Sequence, residues 1–347
     1  MAVDYDMRHL VEIAVHEKAS DLHLSAGLPP ILRVFGSIQP MEGHDRLMPK
    51  DIEELVLPLL NEDQRETLAS EGEVDFSHGF TGIGRFRCNI SRQRGSLTLA
   101  LRVINSTIKS FEELGLPEIL HDLAHIHDGL ILVTGPTGSG KSTTLASMID
   151  IINRERRGVI VTLEDPIEFL HNHKNCIVNQ REVGTDTKSF ASGLRSALRS
   201  DPDVVLVGEM RDLETISIAL TAAETGHLVL STLHTRGAAK TIDRIIDVFP
   251  PESQQQIRVQ LSTVLEAVVS QQLFPLKSGR GMVPAVEVML GTPAIRNMIR
   301  EEKVHQIPSM IETGTRFGMQ SMKAAIDDLV QRDLVDGTVV FRKDNYL

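Results

Sequence analysis

The chain has 347 residues, 41 % of them apolar and 24 % charged, which excludes global disorder and suits one large or two medium domains with a sizeable core. Its 36 basic and 47 acidic residues leave a net charge of −11, a poor match to broad nucleic-acid or anionic-membrane binding. No apolar run approaches the roughly 20 residues needed to cross a bilayer, and the two distant cysteines, Cys88 and Cys176, exclude a disulfide framework and a four-cysteine zinc site.

The first stretch, MAVDYDMRHLVEIAVHEKASD, carries acids throughout and has no long apolar segment, which argues against a signal peptide. Within residues 1–20, Leu10, Ile13, Ala14 and Glu17 follow helical spacing, with Val11 and Val15 beside them, so an amphipathic helix is predicted. Leu22 and Leu24 then alternate with Asp21, His23 and Ser25, the pattern of a half-buried strand. Pro29-Pro30 interrupts the chain, and residues 31–34 and 37 onward read as a short hairpin around Phe35-Gly36. Residues 50–70 read as helical, with a break at Pro58. Residues 73–104 turn to strands separated by glycines at 79, 82, 84 and 95, which predicts an antiparallel meander in an α+β domain.

Residues 105–118 have little apolar periodicity and pass through Gly115-Leu116-Pro117, so they are read as a linker between a domain at 1–104 and another at 119–347. Beyond residue 129 the grammar changes. Continuous apolar runs at 130–133, 159–163, 204–207 and 228–230 alternate with helical stretches, as in a mostly parallel sheet covered on both faces. Residues 251–347 read as mostly helical. The fold class is therefore α/β, preceded by a small α+β domain.

Gly135-Pro136-Thr137-Gly138-Ser139-Gly140-Lys141-Ser142 matches GxxxxGK[ST] in full, after an apolar strand and before a helix beginning at Thr143. Such glycines let successive N–H groups face phosphate oxygens at a helix N-terminus. Lys141 would reach the β- and γ-phosphates and Ser142 would hold Mg²⁺. Two acidic candidates stand at strand ends, Glu209 after Val204 to Val207 and Glu164 after Val161 to Leu163. Gly208 occupies the place where many P-loop proteins carry the metal-ligating Asp. Either carboxylate orients the attacking water or supports the metal; the plainer alternative is a solvated strand-end acid. His227 and His234 bracket residues 228–233 and are too far apart for a local metal site. His171, His173 and Cys176 lack a fourth ligand, which argues against zinc.

GPTGSGKST (135–143), VTLEDPIEF (161–169), DPDVVLVGEMRD (201–212) and TGHLVLSTLHT (225–235), in that order, resemble the Walker A, Asp box, atypical Walker B and His box of the type II/IV secretion ATPases. ASDLHL (19–24) resembles that family's N-terminal signature, and AIRNMIRE (294–301) is similar to the AIRNLIRE motif of its pilus-retraction branch, with Met298 for Leu. The resemblance covers essentially the whole chain. It implies a PAS-like N-terminal domain, a RecA-like ATPase domain with a helical C-terminal part, and a homohexamer. It implies ATP and Mg²⁺ as cofactors, with Ser142 and Glu209 on the metal. Glu209 and Glu164 would be catalytic, and His234 would sense the γ-phosphate; His227 and Thr143 would join the nucleotide-binding set.

Arg85, Arg87, Arg92, Arg94 and Arg102 cluster before the linker. By the resemblance, arginines of this region reach the nucleotide when ATP closes the domains, and Arg92, Arg94 and Arg102 are the first candidates; a solvated strand face is the alternative. Arg195 and Arg199 lie four apart before the Walker B run and face nucleotide, neighbour or surface acids. In 294–301, Ile295, Met298 and Ile299 form an apolar stripe, and the face bearing Arg296 and Arg300 is expected to transmit motion or meet a partner. The implied function is an ATP-hydrolysing motor that powers type IV pilus retraction from the cytoplasmic side of the inner membrane. Its implied partners are the pilus platform protein and a paralogous retraction ATPase, with no nucleic acid and no integral membrane segment. An assembly ATPase is the near rival; the chain's start close to SDLH and its two cysteines favour retraction. A nucleotide-gated scaffold ring and a DNA translocase are more distant rivals, and the acidic charge weighs against the latter.

Overall fold

The computed structural model describes residues 6–34, 36–104, 107–279 and 281–338. Two compact units divide the chain, Met1–Ser106 and Thr107–Leu347.

In the first unit, α1 (Met7–His16) starts where the Asp6 carboxylate accepts the Arg8 N–H at 3.0 Å, and it buries Leu10, Val11 and Ala14. Then follow β1 (Asp21–Leu24), β2 (Ile31–Val34) and β3 (Ser37–Pro40). The β2–β3 hairpin forms as expected, although Phe35 of its turn lies outside the described residues. Proline at its first turn opens α2 (Pro49–Val56), and a single 3-10 turn through Pro58 separates it from α3 (Glu62–Glu71). The meander is β4 (Glu73–Phe80), β5 (Gly84–Gln93) and β6 (Ser96–Val103). All six strands join one antiparallel sheet in the order β3-β2-β1-β6-β5-β4. Phe86, Cys88, Ile90, Leu97, Leu99 and Leu101 alternate onto its buried face with Leu22 and Leu24.

The second unit opens with α4 (Phe111–Leu114) and α5 (Ile119–Ala124). Part of the expected linker is thus built into this unit. Ser110 and Glu113 form a capping box, and Phe111 and Leu116 are buried in the same cluster as Leu120 and Met148. Asn105 and Ser106 lie outside the described residues.

Next come β7 (Gly129–Thr134), α6 (Lys141–Glu155), β8 (Val159–Glu164), β9 (Ile177–Glu182) and α7 (Phe190–Ala197). The chain continues through β10 (Val204–Val207), α8 (Leu213–Glu224), β11 (Leu228–Leu233), α9 (Ala238–Asp247) and α10 (Pro251–Val264). It finishes with β12 (Leu265–Pro275), β13 (Met282–Leu290), α11 (Pro293–Arg300), α12 (Ile307–Thr313) and α13 (Met322–Gln331). The sheet order is β13-β12-β7-β11-β10-β8-β9, parallel except for β13. Leu130 and Leu132 pack on one face with Ile216 and Leu220 of α8 and Ile242 and Ile245 of α9. Ile131 and Val133 pack on the other with Leu145, Met148 and Ile149 of α6. Covering on both faces explains the continuous apolar runs and places six strand C-termini along one edge.

Among the described residues from 251 on there are four α-helices, in line with the expected helical character, and also β12 and β13, which the sequence reading passed over. Residues 264–274 and 283–290 are apolar runs buried on both faces, and such runs lack the period that separates strand from helix.

Candidate active site

The loop after β7 is shaped by close approach as well as by φ. Gly135, Gly138 and Gly140 have φ of 142°, 76° and 87°. A Cβ at Gly135 would stand 2.3 Å from the Gln271 carbonyl oxygen, and one at Gly140 would stand 2.7 Å from Gln271 Nε2. Gln271, on β12, is only 3 % exposed, and its Oε1 accepts the Thr144 hydroxyl at 2.7 Å in the first turn of α6. One buried amide therefore clamps both ends of the loop. The sequence reading missed it; its signal is a pair of amides inside an apolar run.

Lys141 opens α6 with Nζ donating to the carbonyls of Gly135 at 2.9 Å and Pro136 at 3.1 Å. Burial lowers its pKa, opposed by the charges of Glu168 and Glu209. Thr134 Oγ1 and Ser139 Oγ are buried without a hydrogen-bond partner. Unspent hydroxyls, a glycine cradle and a lysine at a helix N-terminus are the chemistry of a polyphosphate site.

A cavity of about 540 Å³ holds Thr137 to Thr143 together with Glu164, Asp165, Glu168, Glu209 and His234. Glu209 Oε2 lies 2.7 Å from Arg211 Nε and 3.3 Å from His234 Nε2. Glu164 Oε1 accepts from the Thr162 hydroxyl at 2.6 Å and from Gln180 Nε2 at 3.1 Å. Burial raises the Glu164 pKa, and these two hydrogen bonds work against the rise. The sequence reading missed Arg211, Glu168 and Gln180; the first two lie inside its motifs and Gln180 lies outside them on β9, and their roles depend on side-chain direction.

The structure explains Gly208. Its N–H donates to Leu163 O at 2.7 Å, and a Cβ there would lie 3.1 Å from that oxygen and 3.4 Å from Glu164 Cα. A side chain at this position would require Leu163 O to give by a few tenths of an ångström, and the strand-end acid stands one residue on, at Glu209. Ser142 and the carboxylates around it form an all-oxygen donor set, which fits Mg²⁺. No group of three or more His, Cys, Asp or Glu among the described residues is arranged to hold a metal ion.

His227 is not brought to this cavity. It precedes β11, with Nδ1 2.9 Å from Ala222 O, whereas His234 follows the strand. Six strand residues place them roughly 20 Å apart. His171, by contrast, lines the cavity, and burial pushes its pKa down to about 4.

Arg92, Arg94 and Arg102 belong to the first unit. Arg92 and Arg94 are exposed, and Arg94 takes a left-handed φ of 49° in the β5–β6 turn. Arg102 Nε donates to Asp21 Oδ1 at 2.9 Å, and Arg33 approaches Asp21 Oδ2 at 3.6 Å. Burial would raise the Asp21 pKa, but the Ser20 hydroxyl and Arg102 outweigh it and hold it below its ordinary value. Arg102 thus has a structural partner that the sequence reading did not foresee. Arg195 pairs with Glu214 on α8.

The charged face of 294–301 divides, with Arg300 exposed and Arg296 held against neighbouring elements. Ile295 and Ile299 are buried, but Arg296 turns inward. It donates to Gly291 O at 2.6 Å, to Ser262 O at 3.1 Å and to Thr263 O, and pairs with Glu266 at 2.5 Å. The Ser262 and Thr263 carbonyls belong to the open last turn of α10, so Arg296 caps that helix.

Residues 94–314 match the family model described as type II/IV secretion system protein. The type IV pilus retraction ATPase PilT of Pseudomonas aeruginosa is 50 % identical over 330 residues, 95 % of each chain. A twitching motility protein of Neisseria gonorrhoeae is 47 % identical over 306 residues, 88 % of this chain and 82 % of that one. The crystal structure of the pilus retraction motor PilT with bound ADP superposes with a TM-score of 0.90 at 49 % identity, over 96 % of each chain.

Proposed function

The chain belongs to the type II/IV secretion system protein family, and from that premise we propose that it is an Mg²⁺-dependent ATPase that powers type IV pilus retraction. The observation that carries the reading is identity at 50 % across 95 % of a pilus retraction ATPase, in a chain whose P-loop, Glu164, Glu209 and His234 share one cavity.

Lys141 exchanges its two loop carbonyls for phosphate oxygens, and the loop N–H groups and the free hydroxyls of Thr134 and Ser139 complete the cradle. Ser142 and Glu209 would hold Mg²⁺, which when bound would neutralise charge developing on the transferred phosphoryl group. Glu164 and Glu209 orient the attacking water. Glu164 is half-buried with its pKa held above the ordinary carboxylate value, which strengthens it as an acceptor for the proton of the attacking water. His234 faces the γ-phosphate from the end of β11. Arg92, Arg94 and Arg102 are the cationic donors contributed by the first unit, with Arg102 leaving Asp21 to act. His227, remote from its own chain's cavity, has no role in this scheme.

In the proposed assembly six copies form a ring at the cytoplasmic face of the inner membrane. ATP binding and hydrolysis drive a conformational cycle whose motion is passed to the pilus platform protein. No helix among the described residues is long and apolar enough to cross a membrane. Cells lacking the gene should carry abundant pili that fail to pull tethered beads. Complementation with Glu209→Ala should leave them so. Bald cells would mean an assembly motor instead and overturn the retraction reading.

A further inference from the structure

Arg211 follows Glu209 by two positions, and its Nε pairs with Glu209 Oε2 at 2.7 Å, the same oxygen that His234 Nε2 approaches at 3.3 Å. The Glu209 side chain is 15 % exposed and that of Arg211 is 72 % exposed. The backbone on both sides of Arg211 is held. Met210 N–H donates to Thr232 O at 3.2 Å, and Asp212 caps α8 by accepting the N–H and the hydroxyl of Thr215, each at 2.8 Å. A long solvent-facing side chain on a fixed backbone changes partner without moving strand or helix. Arg211 also lines the cavity that contains Lys141 and Ser142, so an alternative partner lies within the same space. The guanidinium fork suits carboxylate and phosphate alike, and a terminal phosphate offers more charge and more acceptor oxygens than one carboxylate.

We propose that Arg211 is a latch on Glu209, exchanged between that carboxylate and the terminal phosphate of ATP. The inference rests on the ATPase reading above. While Arg211 holds Glu209, Oε2 is committed to an ion pair. When the guanidinium turns to the γ-phosphate, that oxygen is released to the water and metal side of the cavity. ADP has no γ-phosphate and leaves the latch closed. Arg211 is therefore a positioning residue for Glu209 and the means by which the site separates triphosphate from diphosphate.

Binding of ATPγS and of ADP to the full-length protein, measured by calorimetry, tests this in four forms: wild type, Arg211→Gln, Glu209→Gln and the double variant. Arg211→Gln should weaken ATPγS about tenfold and leave ADP within about twofold, the scale of one charge-assisted contact. With Mg²⁺ withheld, so that loss of a metal ligand does not enter, Glu209→Gln removes the competitor, and ATPγS should bind several-fold tighter with Arg211 present, a gain that should vanish in the double variant. Arg211→Lys, which keeps the charge and loses the fork, should recover part of the ATPγS affinity. Equal weakening of both nucleotides, or additive effects in the double variant, would overturn the latch while leaving the ATPase reading intact. Failure of the wild type to bind either nucleotide would overturn the ATPase reading and the latch with it.

Discussion

Replacing Gly208 with alanine should damage the site from within the sheet. Gly208 sits between β10 and β8, donating to Leu163 O at 2.7 Å and accepting from the Thr232 hydroxyl at 2.5 Å. The new Cβ would stand 3.1 Å from Leu163 O and 3.4 Å from Glu164 Cα. Both neighbours are backbone, so relief requires β8 and β10 to part by a few tenths of an ångström. Overpacking of this kind costs about 1–3 kcal/mol. At about 2–4 °C per kcal/mol for a unit of this size, the melting temperature should fall by roughly 2–12 °C. The same displacement carries Glu164 and Glu209 away from their places beside the P-loop. A shift of about 1 Å in such groups costs on the order of a hundredfold, so a smaller one should cost about tenfold in turnover. Gly208→Asp restores the usual acid of this position and should do no better, because the clash begins at Cβ. Thermal unfolding and steady-state ATP hydrolysis on the purified chain decide the matter. An alanine variant that melts with the parent and hydrolyses ATP at the parental rate would refute the steric account. So would an aspartate variant of undiminished activity.

Gln271→Leu leaves the buried Thr144 hydroxyl without its acceptor, which should cost about 1–3 kcal/mol and weaken nucleotide binding through the loop that Gln271 clamps; calorimetry and melting curves measure both. Asp21 has a folded pKa below its unfolded value, so its ion pair stabilises the first unit above the unfolded pKa and the contribution is lost as pH falls through the folded one. Asp21→Asn should therefore lower stability near pH 7 and flatten its fall below about pH 4, seen in thermal unfolding across pH. Arg296→Ala should lower stability by about 1–3 kcal/mol and reduce ATP turnover with it, since it uncaps α10 and strands Glu266. Arg300→Ala, at an exposed position, should stay within about 0.5 kcal/mol of the parent, and equal losses in the two would contradict the capping role.

Much of the candidate site is legible in order along the chain. The P-loop, Glu164, Glu209 and His234 each end an apolar run, and a parallel sheet brings all such ends to one edge. Local chemistry was sufficient there, because strand polarity alone determines the juxtaposition. His227 fails by the same logic, since it begins its run instead of ending it. Periodicity also separated the one-sided strands of the first unit from the two-sided strands of the second.

What periodicity could not read was anything decided by a side chain crossing to another element. β12 and β13 look helical in sequence because residues buried on both faces carry no period. Arg296 looks like half of a solvated face until α10 presents its open carbonyls to it. Gln271 is an unremarked amide until β12 lies against the P-loop, and Gly208 is a missing aspartate until β8 lies 3.1 Å from the Cβ it does not have. By itself the sequence determined the backbone periods, the phosphate loop and the edge where chemistry gathers, all of which are local or follow from strand direction. Only the tertiary structure decided which polar groups are spent on holding elements together and which remain for ligand, because hydrogen-bond partners distant in sequence become known only when the layers are packed.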